Sequence, residues 1–285
     1  MKINQISPQS NNFLQIIDSI VLMPKKLYYI GTLPEHRVPT VAIVGTRKPT
    51  PYGTEVTSRI AGDLAKRGVV IVSGMALGID AIAHRAALDA HGMTIAVQAN
   101  GLSKLTPATN RQLGEDIVSH GGAIISEYEP TIPARDFQFL ARNRIVSGLS
   151  DAVLITEASA RSGTLNTARH ALEQGKEVFV IPGNITSPQS AGCNSLLKQG
   201  ATPVTCAEDI LEVIAPELLK PQTQLALGDN PLQTKIIQLL QSGTRDGDEL
   251  QRLSESDAGQ FATELTMMEL SNTIRALGAN QWTLR

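Results

Sequence analysis

Two guanidinium groups and an amide follow one another at Arg142-Asn143-Arg144, just ahead of the apolar run Ala152-Val153-Leu154-Ile155. Such runs form buried strands, so these charges sit where the chain enters the core, a poor place for idle charge. A guanidinium forks onto two phosphate oxygens at once. The stretch therefore predicts the floor of a phosphate-binding surface.

Three further stretches could supply its walls. Gly45-Thr46-Arg47 follows the apolar run Val41-Ala42-Ile43-Val44, and Ser73-Gly74 follows Val69-Val70-Ile71-Val72. Ser162-Gly163-Thr164 opens a helical pattern. Glycine lets main-chain amides approach an anion, and a helix N-terminus attracts one. In an open α/β sheet all these turns share the carboxyl edge of the strands.

The same stretches exclude other chemistries. No GxGxxG is present, and the second strand ends in Ser73-Gly74 without the acidic residue a ribose needs. No GxxxxGK[ST] loop occurs. Asp80 and His84 share a helix face at i, i+4, yet no nucleophile is organised around them, so they read as a structural pair. No metal-ligand spacing appears, and neither a cofactor nor catalysis is expected.

Positioning these turns requires a regular scaffold. Apolar runs at 41–44, 69–72, 94–97, 123–125, 152–155 and 178–181 alternate with helical patterns at 55–66, 79–90, 111–119, 165–174 and 194–198. This alternation predicts an α/β fold with a mostly parallel sheet and helices on both faces. Residues 1–38 read as an N-terminal helix and lead-in, with a helix over 13–21 and a short strand at 27–31. Residues 39–214 form the main domain, and the proline- and glutamine-bearing segment 215–230 is a linker. Residues 231–285 predict three helices, at 232–240, 248–254 and 261–277, then a terminal hairpin. That makes a small winged-helix-like module.

The 285 residues carry a net charge of -2. Segment 231–285 holds five basic and seven acidic residues, leaving twenty of each in the first 230. Any polyanion must therefore meet a local cluster. Two cysteines, Cys193 and Cys206, fit neither a disulfide framework nor a zinc site and suggest a reduced cytoplasm. No apolar run is long enough to span a membrane, and Met1 to Asn12 lacks a signal-peptide core.

In order, Gly45-Thr46-Arg47, Ser73-Gly74-Met75-Ala76 through Asp80 and His84, Ser126-Glu127, Phe139 with Arg142-Asn143-Arg144, Ser162-Gly163-Thr164 and Pro182-Gly183 closely resemble the DprA/Smf family. The resemblance runs from about Leu27 to Cys206. It implies an extended Rossmann-like fold that dimerises, binds single-stranded DNA and helps load a RecA-type recombinase in transformation. By position, Arg47, Arg142 and Arg144 would hold phosphate, and Phe139 would stack on a base. Ser73, Gly74, Ser162, Gly163 and Thr164 would line the pocket, and Lys104 would add charge.

The chain departs from the family at Leu140, where a proline is usual, at Leu105-Thr106-Pro107, and in its short N-terminal region. A second reading is a regulator or antitoxin that binds a protein partner in phage defence. A third is a nucleotide phosphoribohydrolase of the related LOG type, disfavoured because Leu165-Asn166-Thr167 stand where a glutamate is needed.

Overall fold

A computed structural model describes residues 2–219, 230–271 and 273–284. The chain divides into two compact units, Met1–Leu219 and Lys220–Arg285.

In the first unit the elements run β1 (Asn4–Ile6), β2 (Leu27–Gly31), β3 (Thr40–Val44), α1 (Pro51–Lys66), β4 (Val70–Ser73), α2 (Ile79–Asp89), β5 (Thr94–Val97), α3 (Arg111–Ser119) and β6 (Ala123–Ser126). There follow α4 (Asp136–Gly148), β7 (Ala152–Ile155), α5 (Thr164–Glu173), β8 (Glu177–Val180), α6 (Ala191–Lys198), β9 (Thr202–Pro203) and α7 (Ala207–Ile214). Among the described residues they build one sheet in the order β1-β2-β6-β5-β4-β3-β7-β8-β9. Every pairing from β6 to β9 is parallel, and only β1 and β2 run against their neighbours.

The central strands are buried on both faces because alternate residues feed different cores. Ala42 and Val44 join a core with Val72, Ile145 and Val153 under α4 and α5. Val41 and Ile43 join Ile60, Leu64 and Ala83 under α1 and α2. This two-sided burial explains the unbroken apolar runs. It bears out the expected mostly parallel α/β sheet.

Residues 1–38 belong to the same unit. β1 and β2 extend the sheet, and Phe13, Leu14 and Ile17 lie fully buried in the first core. The helix expected over 13–21 is a 3-10 helix, Leu14–Ser19.

The second unit holds α8 (Pro231–Gln241), α9 (Gly247–Ser254), α10 (Ala258–Leu270) and a hairpin of β10 (Ile274–Gly278) with β11 (Gln281–Leu284). Ile236, Ile237, Leu250, Phe261, Leu265 and Met268 form its core. The third helix ends at Leu270, not 277, and the residues after Thr273 pair as a strand instead. Most of the expected linker lies outside the described residues. Among the described residues no helix is long and apolar enough to cross a membrane.

Candidate functional site

Chain order reverses at β3: β4, β5 and β6 are laid down on one side, β7 and β8 on the other. Such a switch point opens a crevice beyond the carboxyl ends of the strands. A cavity of about 500 Å³ lies there. Its walls include Gly45, Thr46, Arg47 and Lys48 after β3, Ala76 and Asp80 after β4, and Ser159, Ser162, Gly163 and Thr164 after β7. Phe139, Leu140, Arg142 and Asn143 reach it from α4.

The turns that make the cavity are locked to one another. Thr46 donates its amide to the Glu157 carbonyl at 2.8 Å, and its own carbonyl accepts from Ile79 at 3.2 Å. The Thr164 hydroxyl donates to the Gly45 carbonyl at 3.0 Å. Gly78, at φ 78°, leaves only 2.4 Å between the place of a Cβ and the Thr46 carbonyl, so a side chain there would force these loops apart. Glu157 is buried beneath the start of α1, accepting from the Thr50 amide at 2.9 Å and the Thr50 hydroxyl at 2.6 Å.

The charges have different jobs. Arg47 is exposed, with its guanidinium carbon 5.7 Å from the Phe139 ring centre. Lys48 beside it is exposed too, a cavity residue that the resemblance did not supply. No ion pair among the described residues engages either side chain. The N-terminus of α5 also opens on the cavity, and its first turn holds no acidic residue to offset the helix dipole.

Arg142 is different. It is 5% exposed and donates to the carbonyls of Gly74 at 2.7 Å and of Val97, tying the ends of β4 and β5 together. Asp80 accepts from the amides of Gly74 at 3.1 Å and Ala76 at 3.4 Å. Burial pushes the Asp80 carboxyl up, against the pull of the Arg142 charge. Burial likewise holds the Arg142 guanidinium below its ordinary value.

Of the thirteen residues expected from the sequence at this site, nine border the cavity: Gly45, Thr46, Arg47, Phe139, Arg142, Asn143, Ser162, Gly163 and Thr164. Four stand elsewhere. The Ser73 hydroxyl donates to the Ile43 carbonyl at 2.6 Å, and the Gly74 amide is taken by Asp80, so neither presents a free donor. Arg144 pairs with Glu127, both mostly buried. Lys104 borders a second cavity with Leu102, Leu105 and Arg111. Arg142 borders the cavity while one of its guanidinium nitrogens donates to two main-chain carbonyls, so it has a strand-holding part beside its expected phosphate contact.

Asp80 and His84 are not bonded as a pair. His84 instead meets the Thr94 hydroxyl at 2.6 Å. Among the described residues no cluster of three His, Cys, Asp or Glu could hold a metal.

The family profile for DNA recombination-mediator protein A matches residues 4–215. Protein Smf of Escherichia coli is 46% identical over 189 residues, covering 66% of this chain and 50% of that protein. DNA processing protein DprA of Bacillus subtilis is 42% identical over 172 residues, covering 60% of this chain and 58% of that one. The chain thus spans about half the length of the first relative and 58% of the second. Among solved structures, DNA processing protein A of Streptococcus pneumoniae superposes with a TM-score of 0.69 at 37% identity, covering 75% of both chains. The Helicobacter pylori protein, described for its single-stranded DNA binding mode, superposes at 0.67 with 35% identity, covering 76% of this chain and 97% of that one.

Proposed function

The chain belongs to the DNA recombination-mediator protein A family, and we propose that its switch-point cavity holds the sugar-phosphate backbone and a base of single-stranded DNA. One observation carries the reading: Arg47 stands unpaired among the described residues at the cavity mouth, over the Phe139 ring. A cation and an aromatic face side by side suit a phosphate and its neighbouring base, without preference for sequence. Lys48 and the α5 N-terminus add positive potential locally, although the whole chain carries a net charge of -2.

Binding rather than catalysis fits the carboxylates. Asp80, the acidic residue in the cavity wall, is occupied by two amides. Glu157 is engaged by Thr50 and Glu127 by Arg144. A glycosidic hydrolase needs a free acid or base at the leaving group.

The wider role we infer from family membership is assistance in loading a RecA-type recombinase on incoming DNA, by a cytoplasmic homodimer. We infer a winged-helix module in the second unit, a reading supported by its three helices followed by a two-stranded hairpin. Its α10 carries Glu264 and Glu269 but no Lys or Arg, which favours a protein partner over DNA. The deciding experiment is an anisotropy titration with a labelled single-stranded oligonucleotide at several salt concentrations. Affinity falls steeply with salt if phosphates are bound, because counterions are released. A flat salt dependence overturns the proposal.

A further inference from the structure

Two large apolar side chains stand open to solvent beside this cavity. Phe137 is 62% exposed and Leu140 49% exposed, three residues apart on α4 and so on neighbouring positions of one helix face. Leu140 forms part of the cavity wall and comes close to Gly163 at the start of α5. Phe137 lies nearly one turn nearer the helix N-terminus. Between them in sequence, Phe139 turns inward to Arg47.

Exposed apolar groups of this size, next to a cationic crevice, call for an occupant that is itself part apolar and part anionic. We infer that Phe137 and Leu140 form a lip on which the next bases of the strand pack as it leaves the cavity. This deepens the DNA-binding reading and rests on it. The occupant is the same polynucleotide, because the lip continues the cavity wall at Leu140 and bears no charged residue at either position. Apolar and aromatic faces contact any base, so the lip adds affinity with strand length and not with sequence.

The test is a length series of oligodeoxythymidylates, from dinucleotide to decanucleotide, on wild type, Phe137→Ser and Arg47→Ala. Both substituted side chains are exposed, and thermal melts verify that each variant folds. For Phe137→Ser the expected result is unchanged dinucleotide affinity and at least about a fivefold loss for the longer strands. A decamer with abasic sites in place of the bases outside the cavity should erase the difference between this variant and wild type. An equal loss at every length, or none at any length, overturns the lip. So does a shift from dimer to monomer in sedimentation with affinity unchanged, which would make this face a contact between copies. If instead Arg47→Ala binds every length like wild type, the cavity reading itself fails, whatever Phe137→Ser does.

Discussion

The guanidinium of Arg142, on α4, donates to the main-chain carbonyl of Gly74, in the loop after β4, at 2.7 Å and across 68 residues of chain. A second bond from the same nitrogen reaches Val97, so one buried cation closes the carboxyl ends of two adjacent strands. Asp80 holds the other side of that turn through the Gly74 and Ala76 amides. Charge and countercharge together fix the floor of the cavity.

Removing that cation should cost more than it would at a surface. Arg142→Ala strips two buried carbonyls of their donor and leaves Asp80 without a compensating charge. The expected loss is roughly 3–5 kcal/mol, read by urea denaturation. Arg142→Lys keeps the charge but ends one atom short of the donating nitrogen, and should recover only part. Wild-type stability in the alanine variant would show that the guanidinium does not hold these strands.

Gly74→Ala probes the same contact from the other partner. A Cβ there would lie 2.2 Å from one guanidinium nitrogen of Arg142 and 2.4 Å from the other. The side chain must move and give up its carbonyl bonds. In the Arg142→Ala background the obstruction is gone, so the added methyl should cost little. A double-mutant cycle should therefore show coupling of at least about 1 kcal/mol. Additive effects would mean that the two residues do not touch.

The scaffold was legible because its signal is apolar and periodic. Runs such as Val41–Val44 and Ala152–Ile155 must be strands buried on both faces, and they are. α4 was not legible, and the reason is physical. Its inward face carries Gln138 and Arg142 beside Ile145 and Val146, so polar residues occupy positions where a helical period expects apolar ones. Gln138 is spent on a local bond to the Arg135 amide, and Arg142 on strand ends. The same blindness applies to Arg144, whose partner Glu127 lies 17 residues away in sequence. Glycine and hydroxyl turns marked the sheet edge that bears the cavity, but whether their donors were free depended on Ile43 and Asp80, which no spacing reveals.

Arg47 and Arg144 should separate cleanly. Arg47→Ala should leave the fold intact, since the side chain is exposed, and on the proposed DNA-binding reading should remove one phosphate contact. Oligonucleotide affinity should drop and the slope of log K against log salt should flatten by about one ion. Arg144→Ala should do the reverse. It abandons Glu127, whose carboxyl burial already pushes up, and should destabilise by roughly 3 kcal/mol while leaving the salt slope unchanged. Titrations and melts on both variants decide it. A reduced slope for Arg144→Ala would place that side chain on the strand after all.

His84 should make stability depend on pH in mild acid. The Thr94 hydroxyl donates to the Ile71 carbonyl at 2.7 Å, so its oxygen accepts from the His84 Nδ1–H, and Nε2 is left as an unpartnered acceptor. A proton on Nε2 would be a buried charge with nothing to receive its hydrogen bond. Burial, with the Arg142 charge adding to it, lowers the imidazole pKa to about 3. The unfolded chain takes up this proton near the ordinary value of about 6.5, while the folded protein refuses it until about 3. Between those limits the unfolded state binds more protons, so stability rises with pH and is lost as pH falls, by up to about 1.4 kcal/mol per pH unit from this residue. The carboxylates of the chain titrate in the lower part of the same window, so the measurement is a difference. His84→Gln should be less stable than wild type at pH 7, and the gap should narrow as pH drops from about 7 to about 5. Parallel stability curves over that range would show that this imidazole is protonated as readily in the folded protein as in water.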